Sequence, residues 1–339
     1  MKLEYTIGGL AEKYKFIYNA VKKMSNNNTQ IKVLITGGAG FVGSTLVPLL
    51  LQKGFDVTVV DNLMYHQDSL LGNALAKNFH FILGDTRDEA VMKSAINNAD
   101  AIVHLAAIVG EPACRMHPDL AKSVNLEASK LINKLRSKDQ AIIFASTGSN
   151  YGKVDGICTE ETPLNPLSLY GETKTAAEKQ FLEKGNCIAY RFATGFGISP
   201  RLRLDLLPND FAHRAVHEKF IAVYEKDFRR TFIHVRDMAK AFLFVLERIN
   251  EMKDNIYNVG HESMNLSKEA LINKIKEKTD FHAHFAPVGH DPDQRDYEVS
   301  YEKINKTGFS IDISIDDGID ELVRAFKMKR ASVPYSNLI

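Results

Sequence analysis

Six short apolar runs, separated by longer stretches with helical periodicity, constrain this chain more than any other feature. They are Ile31–Thr36, Asp56–Val60, Phe79–Leu83, Ala101–Leu105, Ala141–Ala145 and Cys187–Phe192. A strand that is apolar along its whole length has both faces covered, which a half-wet antiparallel strand does not need. The intervening helical stretches include Phe41–Lys53, Pro118–Arg136 and Ser168–Glu183. Strands and helices in alternation specify an α/β fold, a Rossmann-type doubly wound parallel sheet with helices on both faces. After about residue 195 the rhythm weakens, because Pro200, Arg201, Arg203 and Pro208 interrupt it and shorter strands mix with helices. The expected organisation is therefore a dinucleotide-binding Rossmann domain with the catalytic residues over 31–195. A smaller C-terminal α/β lobe, mainly substrate-binding, follows over 196–339, with Phe242–Val245 in its core.

Residues 1–30 precede the first strand. Leu10, Tyr14, Ile17 and Val21 recur at helical spacing, and the polar run Ser25–Thr29 breaks the pattern. This predicts an amphipathic helix and a linker, packed on the surface or on a second subunit, with a partner-binding function as the alternative.

Charge narrows the partners. Lys plus Arg number 43 against 42 for Asp plus Glu, so no global field draws nucleic acid or an anionic membrane. Any bound anion must be gripped locally. Cys114, Cys158 and Cys187 are far apart and form no C-x-x-C pair, which suits a reduced cytoplasmic protein with inert thiols and no metal site. No apolar run approaches the roughly 20 residues that cross a bilayer, and the first residues make a poor signal peptide.

The local anion grip lies directly after the first strand. Gly37-Gly38-Ala39-Gly40-Phe41-Val42-Gly43 joins that strand to a helix. Glycines allow a tight turn and close approach of backbone to a pyrophosphate, and the helix N-terminus adds N–H donors and a positive dipole end. Asp61 ends the next strand, in Val59-Val60-Asp61-Asn62-Leu63. A carboxylate there accepts from ribose hydroxyls and repels a 2′-phosphate, and no Arg or Lys follows directly to receive one. NAD is expected in preference to NADP. The glycine spacing is G-x-x-G-x-x-G, not the G-x-G-x-x-G of many dehydrogenases.

Over about residues 31–326 the ordered motifs resemble the extended short-chain dehydrogenase/reductase family, in its sugar-nucleotide epimerase and dehydratase branch, with a pattern like that of UDP-glucose 4-epimerase. They are Gly84-Asp85, His104-Leu105-Ala106-Ala107, Phe144-Ala145-Ser146-Thr147 with Tyr151-Gly152, and Tyr170-Gly171-Glu172-Thr173-Lys174. The resemblance implies a cofactor held by Gly37, Gly40, Phe41, Val42, Gly43, Asp61, Asn62, Asp85, Thr86, Leu105, Ala106, Ala107 and Asn125, together with Tyr170 and Lys174. It makes Thr147, Tyr170 and Lys174 catalytic, with Thr147 orienting the substrate oxygen.

The spacing within the last motif has a physical reason. Residues i and i+4 share a helix face, so Tyr170 and Lys174 point the same way. A phenol titrates near 10 and is a poor base at neutral pH; an adjacent ammonium and a positive nicotinamide favour the phenolate. Tyr170 then takes the proton from a sugar hydroxyl during oxidation at that carbon.

By the same resemblance the substrate is a nucleotide-diphosphate sugar. Arg230 and Arg295 would grip its diphosphate, with Arg201 and Arg203 along the lobe boundary and Thr194 beside the phosphate where galactose epimerases have Asn. Glu111 touches the sugar or caps a helix, the two readings being equally supported. His234 and Asp237 are expected to hold the lobes together. Thr147 is followed by Gly148-Ser149, not the Asp-Glu pair of dehydratases, and no Cys stands where double epimerases place one. Oxidation at one carbon, C4, remains, as a 4-epimerase or as a dehydrogenase or ketoreductase; a non-catalytic NAD(P) sensor on the same fold is the alternative. The resemblance further implies a homodimer or a higher homo-oligomer, since in that family two long helices pair across a two-fold axis, and Pro118–Arg136 and Ser168–Glu183 are the candidates here.

Overall fold

The computed structural model describes residues 30–287 and 296–328. The helix expected over residues 10–21 and Arg295 lie outside the described residues. Strands run in chain order as β1 (Lys32–Thr36), β2 (Asp56–Asp61), β3 (Phe79–Leu83), β4 (Ala101–His104), β5 (Ala141–Thr147), β6 (Lys153–Cys158) and β7 (Cys187–Phe192). Seven more follow: β8 (Thr194–Phe196), β9 (Phe220–Tyr224), β10 (Arg229–His234), β11 (Asn255–Val259), β12 (Asn265–Ser267), β13 (His282–Ala286) and β14 (Asp296–Val299).

Seven strands build one sheet in the order β11-β7-β5-β4-β1-β2-β3, and every pairing in it is parallel. All residues of β4 and β7 are buried, including Arg191 of β7, whose charge is paired with Glu178. On one face Leu34, Ile142 and Phe144 pack with Met92, Ile96, Ile132 and Phe181 from helices. On the other, Ile35, Val59 and Tyr190 pack with Leu46, Val47, Leu50 and Phe242. Each such side chain stabilises the fold by roughly 1.5–3 kcal/mol. The strand order reverses between β1 and β4, and in open α/β sheets ligands bind at the carboxyl ends beside such a switch point.

Three expectations are corrected. β3 is apolar but forms the sheet edge, so Phe81 and Leu83 are exposed, not covered on both faces. The helix expected as one piece over Pro118–Arg136 is interrupted: helices Pro118–Lys122 and Ala128–Leu135 flank a π-helical turn at Ser123–Glu127. Asn125 in that turn is pulled out of register by its own bonds. Its amide accepts from Ile108 N–H (2.7 Å) and donates to Ile108 O (3.0 Å), while the Ser129 hydroxyl donates to its carbonyl (2.6 Å).

The third correction concerns the boundary at residue 195. After β10 the chain returns to the sheet, placing helix Val235–Leu246 against the glycine-loop helix Gly43–Gln52 through Ala239, Phe242, Leu46 and Leu50. It then adds β11 beside β7, whose outer edge would otherwise be bare. Residues 235–259 therefore belong with the dinucleotide half. The remaining lobe is built from β12-β10-β8, the β13-β9 pair and the β14-β6 pair, around Phe196, Phe211, Phe232, Leu271 and Leu322. His234 and Asp237 tie these parts. His234 Nδ1 accepts from Arg236 N–H, so Nε2 donates to Glu321 at 2.8 Å. The Asp237 carboxylate accepts from Asp312 N–H and Ile313 N–H.

Candidate active site

A cleft of about 1030 Å³ opens at the carboxyl ends of β1, β2, β4 and β5. Its floor is the loop Gly37–Gly43. Gly37 sits at φ +70°, and a Cβ there would lie 2.7 Å from Ala106 Cα; a Cβ on Gly43 would lie 2.5 Å from Gly38 Cα. Side chains are thus excluded, and bare backbone faces the cleft. The helix that begins at Gly43 has no acidic residue in its first turn, so its positive end is free for an anion. This cradle fits a dinucleotide pyrophosphate.

Asp61 is buried at the end of β2 and accepts from Ala39 N–H and Leu63 N–H, both at 2.9 Å. Burial raises its carboxyl above the ordinary range; these two N–H groups and Arg201 pull the other way. One carboxylate therefore fixes the glycine loop and still has lone pairs for ribose hydroxyls. Asp85 is held down to about 2 by Arg87, whose Nε and Nη2 grip it at 2.9 and 2.7 Å. Asn62, Asp85, Thr86, Leu105, Ala106 and Ala107 line the same half of the cleft, with Gly40, Phe41 and Val42. Asn125 does not: it is buried, and its amide is spent on Ile108 and on Thr173 Oγ1 (3.3 Å). It shapes the wall from behind. His104 is likewise internal, bonded to Thr36 Oγ1 (2.6 Å) and Ser129 Oγ (3.0 Å), and burial pushes it down to about 3, so it is neutral.

Thr147, Tyr170 and Lys174 line the same cleft. Thr147 ends β5 and caps the turn after it, accepting from Ser149 N–H at 3.1 Å. Tyr170 lies in the first turn of helix Leu169–Lys184, which Ser168 caps by accepting from Gly171 N–H. Gly171 is needed here: a Cβ would meet Pro166 Cβ at 2.9 Å and Ser149 O at 3.2 Å. One turn on, Lys174 is buried with its ammonium 4.0 Å from the Phe144 ring centroid. Burial drives it down to about 7, and Glu178, a further turn along, opposes that fall. Glu178 is itself buried, paired with Arg191 (Nη2–Oε1 2.6 Å) and accepting from the Ser146 hydroxyl at 2.5 Å.

Glu111, Thr194, Arg201, Arg203 and Arg230 complete the walls. Glu111 is the first residue of helix Glu111–Met116, and its buried Oε2 has no hydrogen-bond partner, so no capping bond is made there. Arg203 pairs with Asp205 at 2.5 Å. The Arg201 guanidinium lies 4.5 Å from the Tyr65 ring centroid. Tyr65, Arg87, Ser149, Asp205, Lys268 and Tyr297 also line the cleft and were not singled out from the sequence. Arg87 and Tyr65 stand two and four residues after Asp85 and Asp61, so following each acid through its next turn would have found them. Among the described residues no cluster of side chains could hold a metal ion, and no helix is long and apolar enough to cross a membrane.

A doubly wound sheet with a glycine cradle at its switch point and a Tyr-x-x-x-Lys pair facing it defines a dinucleotide-dependent α/β enzyme class. The model described as the NAD dependent epimerase/dehydratase family matches residues 33–260, and the chain belongs to that family. It is 30% identical over 304 residues to the low-salt glycan biosynthesis protein Agl12 of Haloferax volcanii, covering 86% of this chain and 97% of that one. The UDP-glucose 4-epimerase of Corynebacterium glutamicum is 28% identical over 254 residues, covering 68% and 75% respectively. Among solved structures, the Thermus thermophilus UDP-glucose 4-epimerase complex with NAD superposes with a TM-score of 0.76 at 25% identity. That match covers 88% of this chain and 99% of the other.

Proposed function

We propose that this chain uses NAD to oxidise one carbon, C4, of a nucleotide-diphosphate sugar. It then acts either as a 4-epimerase or, if the keto sugar leaves, as a dehydrogenase or ketoreductase. The observation that carries this is the presence of Thr147, Tyr170 and Lys174 in the same cleft as the glycine cradle and Asp61. When bound, NAD supplies the hydride acceptor. Tyr170 removes the hydroxyl proton as the general base. The Lys174 ammonium acts in a dry setting, where screening is weak, and favours the phenolate. Thr147 Oγ1 holds the reacting oxygen in line with Tyr170.

The partnerless Oε2 of Glu111 is an acceptor awaiting a hydroxyl donor, which favours sugar contact over capping. Arg230 and Arg203 lie where guanidinium groups can hold the diphosphate, and Thr194 lines the cleft beside them. The turn after Thr147 runs through Gly148 and Ser149 and offers no acid pair for loss of water. The enzyme works as a homodimer or a multiple of it.

The test is incubation with a panel of UDP-, GDP-, dTDP- and CDP-sugars, following NADH absorbance and product stereochemistry by NMR. A C4 epimer or a 4-keto sugar is expected from at least one substrate. A 4-keto-6-deoxy product, or no conversion of any sugar, would overturn the proposal.

A further inference from the structure

We propose that Arg201 grips the pyrophosphate of the dinucleotide, not the diphosphate of the sugar substrate. This rests on the cofactor assignment above. The loop Gly37–Gly43 carries no charged side chain, and the helix it opens has no acid in its first turn. Its N-terminus offers roughly half a positive charge, against the two negative charges of a pyrophosphate.

Three observations place Arg201 over this spot. Its backbone N–H donates to the hydroxyl of Ser44, the residue after Gly43, at 3.3 Å. Its guanidinium stacks 4.5 Å from the ring of Tyr65, in the turn that follows Asp61. Asp61 itself lies within its electrostatic reach. All three neighbours belong to the cofactor half of the cleft. Arg201 is buried and lines that cleft, and stacking on Tyr65 orients the plane of the guanidinium before any ligand arrives. Two residues on, Arg203 is held by Asp205, and both stay within electrostatic reach of Arg201 and Tyr65.

The segment around Arg201 is therefore a strap from the second lobe across the bound cofactor. A strap of this kind slows cofactor loss. An enzyme that oxidises and then reduces the same sugar needs that, because its reduced cofactor must stay bound between the two halves of the reaction.

The experiment measures binding of NAD, ADP-ribose and UDP to unreacted wild type, Arg201→Ala and Arg201→Lys by calorimetry, with thermal melting as a check on folding. Arg201→Ala is expected to weaken NAD and ADP-ribose alike by about 10- to 100-fold and to leave UDP within about twofold. Arg201→Lys should recover part of the loss. Weakening of UDP by as much as NAD, or of UDP alone, overturns the proposal. So does weakening of NAD without ADP-ribose, or no change in any of them. Where Arg201→Ala melts well below wild type, the Arg201→Lys comparison and the NAD dissociation rate decide on the same criteria. Failure of wild type to bind UDP would count against the sugar-nucleotide substrate and leave the Arg201 result standing.

Discussion

Replacing Lys174 by Met is expected to stabilise the apo fold while destroying turnover. The ammonium is buried, and burial moves it from 10.5 to about 7, which corresponds to about 5 kcal/mol at about 1.4 kcal/mol per pH unit. Local relaxation and imperfect packing of the thioether remove about half of that, leaving a gain of about 2–3 kcal/mol. In a chain of this size that raises Tm by about 3–4 °C. The sign follows from linkage. Below about pH 7 the lysine is charged in both folded and unfolded chains, and the whole penalty is present. Between about 7 and 10.5 the folded chain gives up its proton first and the penalty fades. The advantage of Lys174→Met is therefore largest at about pH 6 and small at about pH 10. Scanning calorimetry of both proteins, without cofactor, reads this directly. A variant less stable than wild type at pH 6, or a gain independent of pH, would refute the argument from burial. Steady-state turnover on the substrate found by the sugar panel should fall at least 10²-fold, because Tyr170 loses its neighbouring charge.

Tyr170→Phe should fold and bind NAD and sugar nucleotide as wild type does, with turnover lowered by roughly 10²–10⁴-fold; near-normal activity would mean that another group is the base. The losses from Tyr170→Phe and Lys174→Met should not add in the double variant, since both act on one proton transfer. Asp61→Ala should weaken NAD by about 10- to 150-fold and narrow the gap to NADP, and equal binding of the two by wild type would contradict the role given to Asp61. Glu178→Ala leaves Arg191 buried without its carboxylate and should destabilise the fold by about 3–5 kcal/mol in urea titration. Light scattering should report at least twice the 38.0 kDa chain mass at micromolar concentration, and a monomer would reject the expected pairing of subunits.

The sheet was legible because a strand buried on both faces leaves an uninterrupted apolar run. β3 and β7 coincide with the expected segments, and β1, β2, β4 and β5 differ by a residue or two at their ends. The same signal could not reveal that β3 is an edge, since Phe79-His80-Phe81-Ile82-Leu83 reads as apolar whether or not a neighbour covers it. β11, Asn255-Ile256-Tyr257-Asn258-Val259, escaped notice because Asn255 opens it and Asn258 interrupts its short apolar run. Asn258 is fully buried only because Tyr151 donates to its side chain at 2.6 Å and its amide donates to Ser300 O. That is a tertiary arrangement with no local trace. The glycine loop, Asp61, Tyr170 and Lys174 were legible because their chemistry fixes their spacing. Arg87, Tyr65 and the orientation of Arg201 were not, because each depends on which turn folds back over the cleft.

The return of β11 to the sheet has a consequence for the order of events during synthesis. Every residue of β7 is buried, its apolar ones against the sheet's helices and Arg191 through its pair with Glu178, yet its outer partner is not made until residue 259 has been translated. At about 5–20 residues per second, the sheet spends several seconds with a hydrophobic parallel edge open to any other strand. An unpaired edge of this kind is a template for wrong association. The nascent chain is thus most exposed to aggregation and most dependent on chaperones between the emergence of β7 and that of β11. Slowing translation within residues 193–254 should lower soluble yield more than slowing it after residue 260.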